Sequence, residues 1–181
     1  MIIFFGPAGS GKSVQGQILA ARQGWRWLSA GQLLRETGDM DLMRQMKEGV
    51  LIDDNIVNNI MGSALKRATN VSQVILDGWP RALAQAKWLV ASQPDHGKAI
   101  DLVIVLEVPK NELMKRLEVR GRADDNIDAI EERLSVYRQE VYPILSYLTE
   151  QNINIVHVDG TGTVGQIHDR IVEELQACKL V

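Results

Sequence analysis

The chain of 181 residues is 45% hydrophobic and 24% charged, with a formal net charge of −3. This composition is typical of a soluble globular protein of one domain, and the net charge argues against general nucleic-acid binding. The only cysteine, Cys178, excludes an internal disulfide framework and a four-cysteine zinc site. The apolar start is too short for a signal peptide, and no apolar run could span a membrane. We therefore expect one cytoplasmic domain over 1–181, with neither membrane nor nucleic-acid partners.

Apolar runs typical of strands alternate with helical periodicity along the chain. Strands are expected at 2–5, 25–28, 74–77, 102–108 and 153–158. Helices are expected at 11–23, 29–35 and 41–47, after Asp53 or Asp54, at 81–90 and 112–120, after Asn126 with a kink at Pro143, and after Thr163. The strands are apolar on both faces, which predicts a parallel sheet covered by helices in an α/β fold. Because residues 29–68 are helical between two strands, we interpret them as an inserted lobe.

A glycine-rich segment, Gly6-Pro7-Ala8-Gly9-Ser10-Gly11-Lys12-Ser13, separates the first predicted strand from the first predicted helix. Its pattern of Gly, four residues and Gly-Lys-Ser is a complete phosphate-binding loop (Walker A). Glycines let the backbone approach a polyphosphate closely, and the helix N-terminus attracts the anion. Lys12 would place a charge on the β- and γ-phosphates, and Ser13 would offer a hydroxyl to Mg²⁺. The alternative is a glycine-rich hairpin with an incidental lysine.

Asp77 ends the third predicted strand and precedes Gly78-Trp79-Pro80-Arg81. Ligands of parallel α/β sheets bind at the carboxyl ends of the strands, so this carboxylate should share an edge with the phosphate-binding loop. An acid at this place can hold Mg²⁺ directly or through water. The alternative is that Asp77 only caps the next helix.

Arginines are the third chemical signal. Arg116 and Arg120 are four residues apart on one predicted helix, and like charges at that spacing repel each other. Planar guanidinium groups suit phosphate oxygens, so we interpret these residues as part of an anion site. The full set of candidate arginines is Arg35, Arg81, Arg116, Arg120, Arg122 and Arg133. The alternative is a solvated basic face that Glu118, Asp124 and Asp125 neutralise.

Together these motifs resemble the adenylate kinases, of the nucleoside monophosphate kinase family, nearly end to end. The similar segments are 6–13, 29–35, 49–52, 76–81 with Gln85, 120–126 with Arg133, and 158–162. The resemblance implies a three-layer P-loop fold with a five-stranded parallel sheet, a monophosphate-binding lobe at 29–68 and a short lid at 120–126. It also implies a monomer that converts ATP and AMP reversibly into two ADP with Mg²⁺.

The resemblance also implies roles for individual residues. ATP would be bound by Ala8, Gly9, Ser10, Gly11, Lys12, Ser13, Val14, Arg116, Arg120 and Gly162. AMP would be bound by Ala30, Arg35, Val50, Ile52, Gly78, Arg81, Gln85, Arg122 and Arg133. Catalytic charge would come from Lys12, Arg81, Arg116, Arg120, Arg122 and Arg133, and Mg²⁺ would be held by Ser13 and Asp77. Gln85 would read the acceptor base, and Asp124 and Asp125 would orient the lid arginines.

The residues near the bases and the loop depart from the family pattern in two ways. Adenylate kinases often carry Thr at the position of Ala30, whereas UMP/CMP kinases carry Ala, so Ala30 favours a UMP/CMP kinase. Gln85 favours an adenylate kinase, because UMP/CMP kinases tend to have Asn at that position. A glutamine amide can also flip to suit a pyrimidine. Ser13-Val14 replaces the usual Gly-Thr, which moves the hydroxyl onto the position where general Walker A loops have their Mg²⁺ ligand.

The predicted lid is the third departure, because only Gly121 separates Arg120 from Arg122. Lids exclude water and complete the set of charged groups around the phosphates. A lid this short could therefore slow turnover or let ATP hydrolysis occur. It leaves no room for zinc. Two alternative functions therefore stay open, namely a UMP/CMP or broad-specificity kinase, and a nucleotide-binding regulator without turnover.

Overall fold

A computed structural model describes residues 1–48, 52–120 and 127–181, without the side chains at 120, 127–133 and 138. The described chain forms a parallel sheet in the order β2-β3-β1-β4-β5. Its strands are β1 Ile2–Phe5, β2 Arg26–Ser29, β3 Val74–Asp77, β4 Leu102–Glu107 and β5 Ile155–Asp159. The five-stranded parallel sheet predicted from the sequence is thus confirmed, with boundaries within two residues of those expected.

Helices follow each strand and cover both faces of the sheet. They are α1 Lys12–Gln23, α2 Ala30–Glu36, α3 Met40–Glu48, α4 Asp54–Arg67, α5 Leu83–Ala91, α6 Gln93–His96, α7 Lys110–Arg120, α8 Ile127–Glu150 and α9 Val164–Ala177. The helical insertion between the second and third strands is confirmed as α2, α3 and α4. The predicted capping box at Thr163 and Gln166 is present at the start of α9.

Two helices differ from the prediction. Helix α5 begins at Leu83 instead of Arg81, because Ala82 is extended (φ −126°, ψ 153°). The Arg81 N–H, before the helix, donates to the side chain of Gln85. The short helix α6, with a proline in its first turn, is not predicted by the periodicity. Helix α8 continues through Pro143 without interruption, and the kink expected there stays a prediction.

Successive residues of the central strands face opposite layers, which explains their apolar character. Ile3 and Phe5 pack with α2, α4, α5 and α8 on one face, whereas Ile2 and Phe4 pack with α1 and α9 on the other. Both faces are buried, as a parallel sheet requires. The three-layer arrangement predicted from the sequence is therefore confirmed.

Trp79, in the turn after β3, contacts both α4 and α5. The indole Nε1 of Trp79 donates to Asn58 Oδ1 at 3.1 Å, with both residues buried. Trp79 meets the Trp88 ring edge-on, with centroids 6.0 Å apart. A Cβ added at Gly62 would lie 2.8 Å from Trp88, so this glycine sets the distance between the helices.

Among the described helices, none is long and apolar enough to cross a membrane.

Candidate functional site

The carboxyl edge of the sheet gathers the polar residues that the sequence singles out. The phosphate-binding loop follows β1, and Asp77 ends β3 next to Ser29 at the end of β2. On the far side, Asp159 ends β5 opposite Glu107. Because all five strands are parallel, these ends lie on one edge, as predicted.

The phosphate-binding loop connects β1 to α1 through glycines in left-handed conformations. Gly9 has φ +84°, and Gly11, the N-cap of α1, has φ +96°, values that other residues adopt only with strain. A Cβ at Gly9 would lie 3.0 Å from Leu117 of α7. Helix α7 therefore packs directly on the loop. A small cluster of Leu113, Leu117 and Leu134, with Ala8 packed against it, forms this contact.

Lys12, the first residue of α1, folds its side chain back over the loop. Its Nζ donates to the carbonyl of Gly6, to the carbonyl of Pro7 at 2.9 Å and to Ser10 Oγ at 3.4 Å. Ser10 is fully buried and its N–H donates to the Pro7 carbonyl at 3.2 Å. The ammonium group thus lies inside the concave side of the loop. This is where the sequence predicts the charge for a polyphosphate.

Ser13 and Asp77 are in direct contact across the sheet edge. Ser13 Oγ donates to Asp77 Oδ2 at 2.6 Å, and Asp77 is 3% exposed. The structure therefore brings together the hydroxyl and the carboxylate that the sequence assigns to one metal site. Among the described residues, no group of three or more His, Cys, Asp and Glu side chains could hold a metal ion. Two protein oxygens beside a phosphate-binding loop match Mg²⁺, which commonly takes few protein ligands and completes its shell with phosphate and water.

Beyond β3, the backbone turns at Gly78 (φ +74°) and carries Arg81 to the same edge. Arg81 Nε donates to the Gly78 carbonyl at 2.8 Å, which holds the exposed guanidinium close to the strand end. A Cβ at Gly78 would lie 3.2 Å from the Arg81 guanidinium. Glycine at this position thus permits both the left-handed turn and the approach of the arginine.

Gln85 is 5% exposed, and both ends of its carboxamide are engaged. Its Oε1 accepts from the Arg81 N–H at 2.7 Å, and its Nε2 donates to Asp54 Oδ1 at 2.6 Å. Asp53, the neighbouring acid, is the N-cap of α4 and accepts from the Asn55 N–H. The sequence leaves open which aspartate caps α4; the structure assigns capping to Asp53 and the glutamine contact to Asp54.

The other described residues that the sequence assigns to AMP binding lie in α2 and just before α4. Ala30 begins α2 and is buried, whereas Arg35 is exposed and its guanidinium lies over Gly31, one turn back. Ile52 is half-buried and packs against the core. Ser29 caps α2 and lies beside Asp77 in the sheet. Ala30 therefore directly follows the residue that lies beside Asp77 in the sheet.

Arg116 lies on α7 and is paired within its own helix. Its Nε donates to Glu112 Oε1 at 2.9 Å, and its side chain is 23% exposed. Among the described contacts of Arg116, the acid is thus Glu112, one turn earlier, whereas Asp124 and Asp125 lie outside the described residues. The exposed Val14 follows Ser13 in the first turn of α1.

The loop after β5 is held by side chains that the sequence analysis does not single out. Arg170 of α9 donates to the carbonyls of Asp159 and Thr161, each at 2.7 Å. The N–H and the hydroxyl of Thr161 donate to the Asp159 carboxylate and lower its pKa. Gly162, the predicted ATP contact in this loop, has φ +97°.

A buried chain of contacts joins this region to α1. Gln15 Nε2 donates to the Val164 carbonyl at 2.9 Å, and its Oε1 pairs with His168 Nδ1 at 3.2 Å. Both side chains are buried. The helix that begins at the phosphate-binding loop is thereby tied to the start and the second turn of α9.

Several predicted residues lie outside what the structure describes. Val50, Arg122, Asp124, Asp125 and the lid at 120–126 are among the residues that it leaves out, apart from the backbone of Arg120 at the end of α7. Arg133 belongs to α8, but its side chain, like that of Arg120, is not described.

Four residues of the site were missed by sequence reasoning, namely Gln15, Asp54, Glu112 and Arg170. The i, i+4 spacing of Glu112 and Arg116 is a readable helical ion-pair signal. Asp54 contacts a residue 31 positions away, and Gln15 contacts residues 149 and 153 positions away. Arg170 contacts residues 9 and 11 positions away. Helical periodicity reveals none of these contacts.

Comparison with known proteins gives consistent matches. The adenylate kinase family model matches residues 4–153. An adenylate kinase of Porphyromonas gingivalis is 35% identical, over 94% of this chain and 92% of the relative. One of Mycobacteroides abscessus is 36% identical, over 96% and 98% respectively. One of Thermus thermophilus is 34% identical, over 94% of each chain.

Proposed function

The chain belongs to the adenylate kinase family, and we propose from this membership that it transfers the γ-phosphoryl group of ATP reversibly to AMP, yielding two ADP. The structural observation that carries the proposal is the 2.6 Å contact between Ser13 of the phosphate-binding loop and Asp77 at the end of β3. It brings a loop suited to a triphosphate next to the strand end from which Arg81 extends. Two phosphate-binding elements therefore share one edge of the sheet.

On the donor side, the loop backbone and Lys12 hold the β- and γ-phosphates of ATP. Gly9 and Gly11 let the backbone curve around them, and Lys12 turns from the loop carbonyls to the phosphate oxygens. Arg116 adds charge from α7, where Glu112 limits the positions of its guanidinium. Gly162 and the loop that Arg170 holds lie against the adenine of ATP.

On the acceptor side, Arg35 and Arg81 bind the phosphate of AMP from α2 and from the turn after β3. Ala30, Val50, Ile52 and Gly78 line the acceptor nucleoside, and Gln85 contacts its base. Arg122 and Arg133 bridge the donor and acceptor phosphates during transfer, while Arg120 holds the ATP phosphates and the moving phosphoryl group together with Lys12 and Arg116. The regions 29–68 and 120–126 act as the monophosphate lobe and the lid of a single domain.

The chemistry requires charge and alignment more than a strong base. A bond forms between an AMP phosphate oxygen and the γ-phosphorus as the bond from that phosphorus to the β-phosphate oxygen breaks. Because the attacking oxygen is already anionic, no proton has to be removed before attack. Lys12 and the arginines stabilise the charge on the moving group.

The residues present fit Mg²⁺, since Ser13 and Asp77 offer two hard oxygen donors at the triphosphate end of the site. Ser13 would be a direct ligand, and Asp77 would hold the ion directly or through water. When bound, Mg²⁺ neutralises charge on the β- and γ-phosphate oxygens. We further propose that the enzyme works as a monomer in the cytoplasm.

The proposal is tested with purified protein, Mg-ATP and a panel of AMP, CMP, UMP, GMP and deoxynucleoside monophosphates, while ADP formation is followed. AMP should give the highest kcat/KM. Turnover of CMP or UMP but not AMP would contradict the substrate assignment. Tight ATP binding without turnover of any acceptor would instead indicate a nucleotide-binding regulator.

A further inference from the structure

The orientation of the Gln85 carboxamide is determined by its two neighbours. The Arg81 N–H lies 2.7 Å from Oε1, and Asp54 Oδ1 lies 2.6 Å from Nε2. A backbone N–H can only donate, and an ionised carboxylate can only accept. Rotating the amide by 180° would oppose two donors at Arg81 and two acceptors at Asp54. Since Gln85 is 5% exposed, water could not relieve both mismatches.

The fixed carboxamide keeps one hydrogen-bond donor and one acceptor for a ligand. A carboxamide has two N–H groups and two oxygen lone pairs. Asp54 and the Arg81 N–H occupy one of each, which leaves one N–H on Nε2 and one lone pair on Oε1. A complementary base edge must therefore offer an acceptor opposite Nε2 and a donor opposite Oε1.

Nucleobases differ in this respect by their exocyclic group. Adenine has an amino group beside an unprotonated ring nitrogen, and cytosine has the same pair. Hypoxanthine, guanine and uracil have a carbonyl beside a protonated ring nitrogen, which reverses donor and acceptor. We propose that Asp54 is a specificity-determining positioning residue: by fixing the Gln85 amide, it makes the acceptor site select amino bases over keto bases. This inference rests on the proposed function, in which Gln85 contacts the acceptor base.

The selection has a defined limit. Because cytosine and adenine present the same donor and acceptor pair, Asp54 does not by itself distinguish CMP from AMP. It does exclude the flipped amide that would suit UMP or GMP. The expected order of acceptors is therefore AMP first, CMP above UMP, and both IMP and GMP far below AMP.

The sharpest probe is AMP against IMP, which are purine monophosphates of nearly the same size that differ at the amino group and the adjacent ring nitrogen. kcat and KM are measured for each with saturating Mg-ATP. The variants are Asp54→Asn and the matched control Asp53→Asn, which makes the same chemical change one residue earlier and retains an N-cap side chain. Thermal melting checks that each variant is folded.

The amide of Asp54→Asn can offer Gln85 either an oxygen or an NH₂ group, so this position no longer accepts only. The variant should therefore raise the KM for AMP by about tenfold with kcat little changed, and should raise the IMP-to-AMP ratio of kcat/KM by about tenfold. The KM for ATP should stay the same, and Asp53→Asn should resemble the wild type. A purely structural role would lower kcat/KM for AMP and IMP by the same factor, which would overturn the inference. Equal use of AMP and IMP by the wild type would also overturn it, while leaving the proposed function intact. Absence of AMP turnover by the wild type would overturn both.

Discussion

At the residue scale, three polar or charged side chains of the candidate site already have partners within the protein. Lys12 contacts loop carbonyls, Ser13 contacts Asp77, and Arg116 contacts Glu112. Hydrogen bonds to charged groups contribute about 1.5–3 kcal/mol each. A ligand must therefore offer these groups contacts at least as favourable, which a triphosphate with several anionic oxygens does better than a single small anion.

Arg81 provides the residue-scale test of the proposed mechanism. We expect Arg81→Ala to lower kcat/KM by about 10³–10⁵-fold, because an arginine that stabilises a transferring phosphoryl group is worth that much in rate. Steady-state kinetics with ATP and AMP measure the effect. Arg26→Ala is the matched control, since Arg26 is exposed at the amino end of β2, on the opposite edge of the sheet. A loss below about tenfold in a folded Arg81→Ala variant would contradict the assigned role.

At the element scale, the sequence predicts the strands and helices themselves but not the contacts that form between helices. The strands, their parallel arrangement and the inserted helices were predictable, because apolar runs and helical periodicity are local signals. The start of α5 was not, since Ala82 is extended and the helix begins only at Leu83. Nor was the bond between Asp54 and Gln85, whose partners come together only when α4 packs beside α5.

The contacts of individual residues were likewise predictable only where they follow from local patterns or from the parallel sheet. The Walker A loop and Asp77 were predictable as neighbours, because parallel strands place their carboxyl ends together, and the contact between Ser13 and Asp77 agrees with this. The pairing of Arg116 with Glu112 was not predicted, although Glu112 is only one helical turn away. The clamp of Arg170 on Asp159 and Thr161 depends on where α9 turns back against β5, which residue types alone do not specify.

Two helical glycines give an element-scale prediction of opposite sign. In Gly62→Ala the new Cβ would lie 2.8 Å from Trp88, and this overpacking should cost about 1–3 kcal/mol of folding free energy. The higher helix propensity of alanine should offset about 1 kcal/mol of that loss. Gly165→Ala should stabilise by up to about 1 kcal/mol, since the nearest atom to its Cβ, in Thr163, is 4.0 Å away. Urea unfolding of both variants measures the difference. Equal effects would show that α4 and α5 can separate freely.

At the scale of the whole molecule, stability should depend on pH through two buried histidines. Burial lowers the pKa of His96 and of His168 below the ordinary value of 6.5. Neither ring nitrogen of His96 has a hydrogen-bond partner within the described structure. Both histidines therefore bind a proton less readily in the folded protein than in the unfolded chain, which takes up protons on them as the pH falls below about 6.5.

The sign of the effect follows directly. Stability should be complete above pH 6.5 and should decrease as the pH falls from there toward the lowered pKa values of the folded state. In His96→Leu the loss of stability between pH 7.5 and 5.5 should be smaller than in the wild type. Urea unfolding at the two pH values measures this. Identical pH dependence in the two proteins would contradict a neutral, buried His96.

The small cluster of Leu113, Leu117 and Leu134 has a consequence for how the molecule opens. It is separate from the two cores that cover the faces of the sheet, and it attaches α7 to the phosphate-binding loop at Gly9. Small apolar clusters open at lower free energy than the global unfolding transition. Amide hydrogens of α7 should thus exchange with solvent through local fluctuations, while those of β1 and β4 exchange only when the whole sheet is lost. One helix that opens often and a sheet that opens only on global unfolding would then border the same phosphate-binding loop.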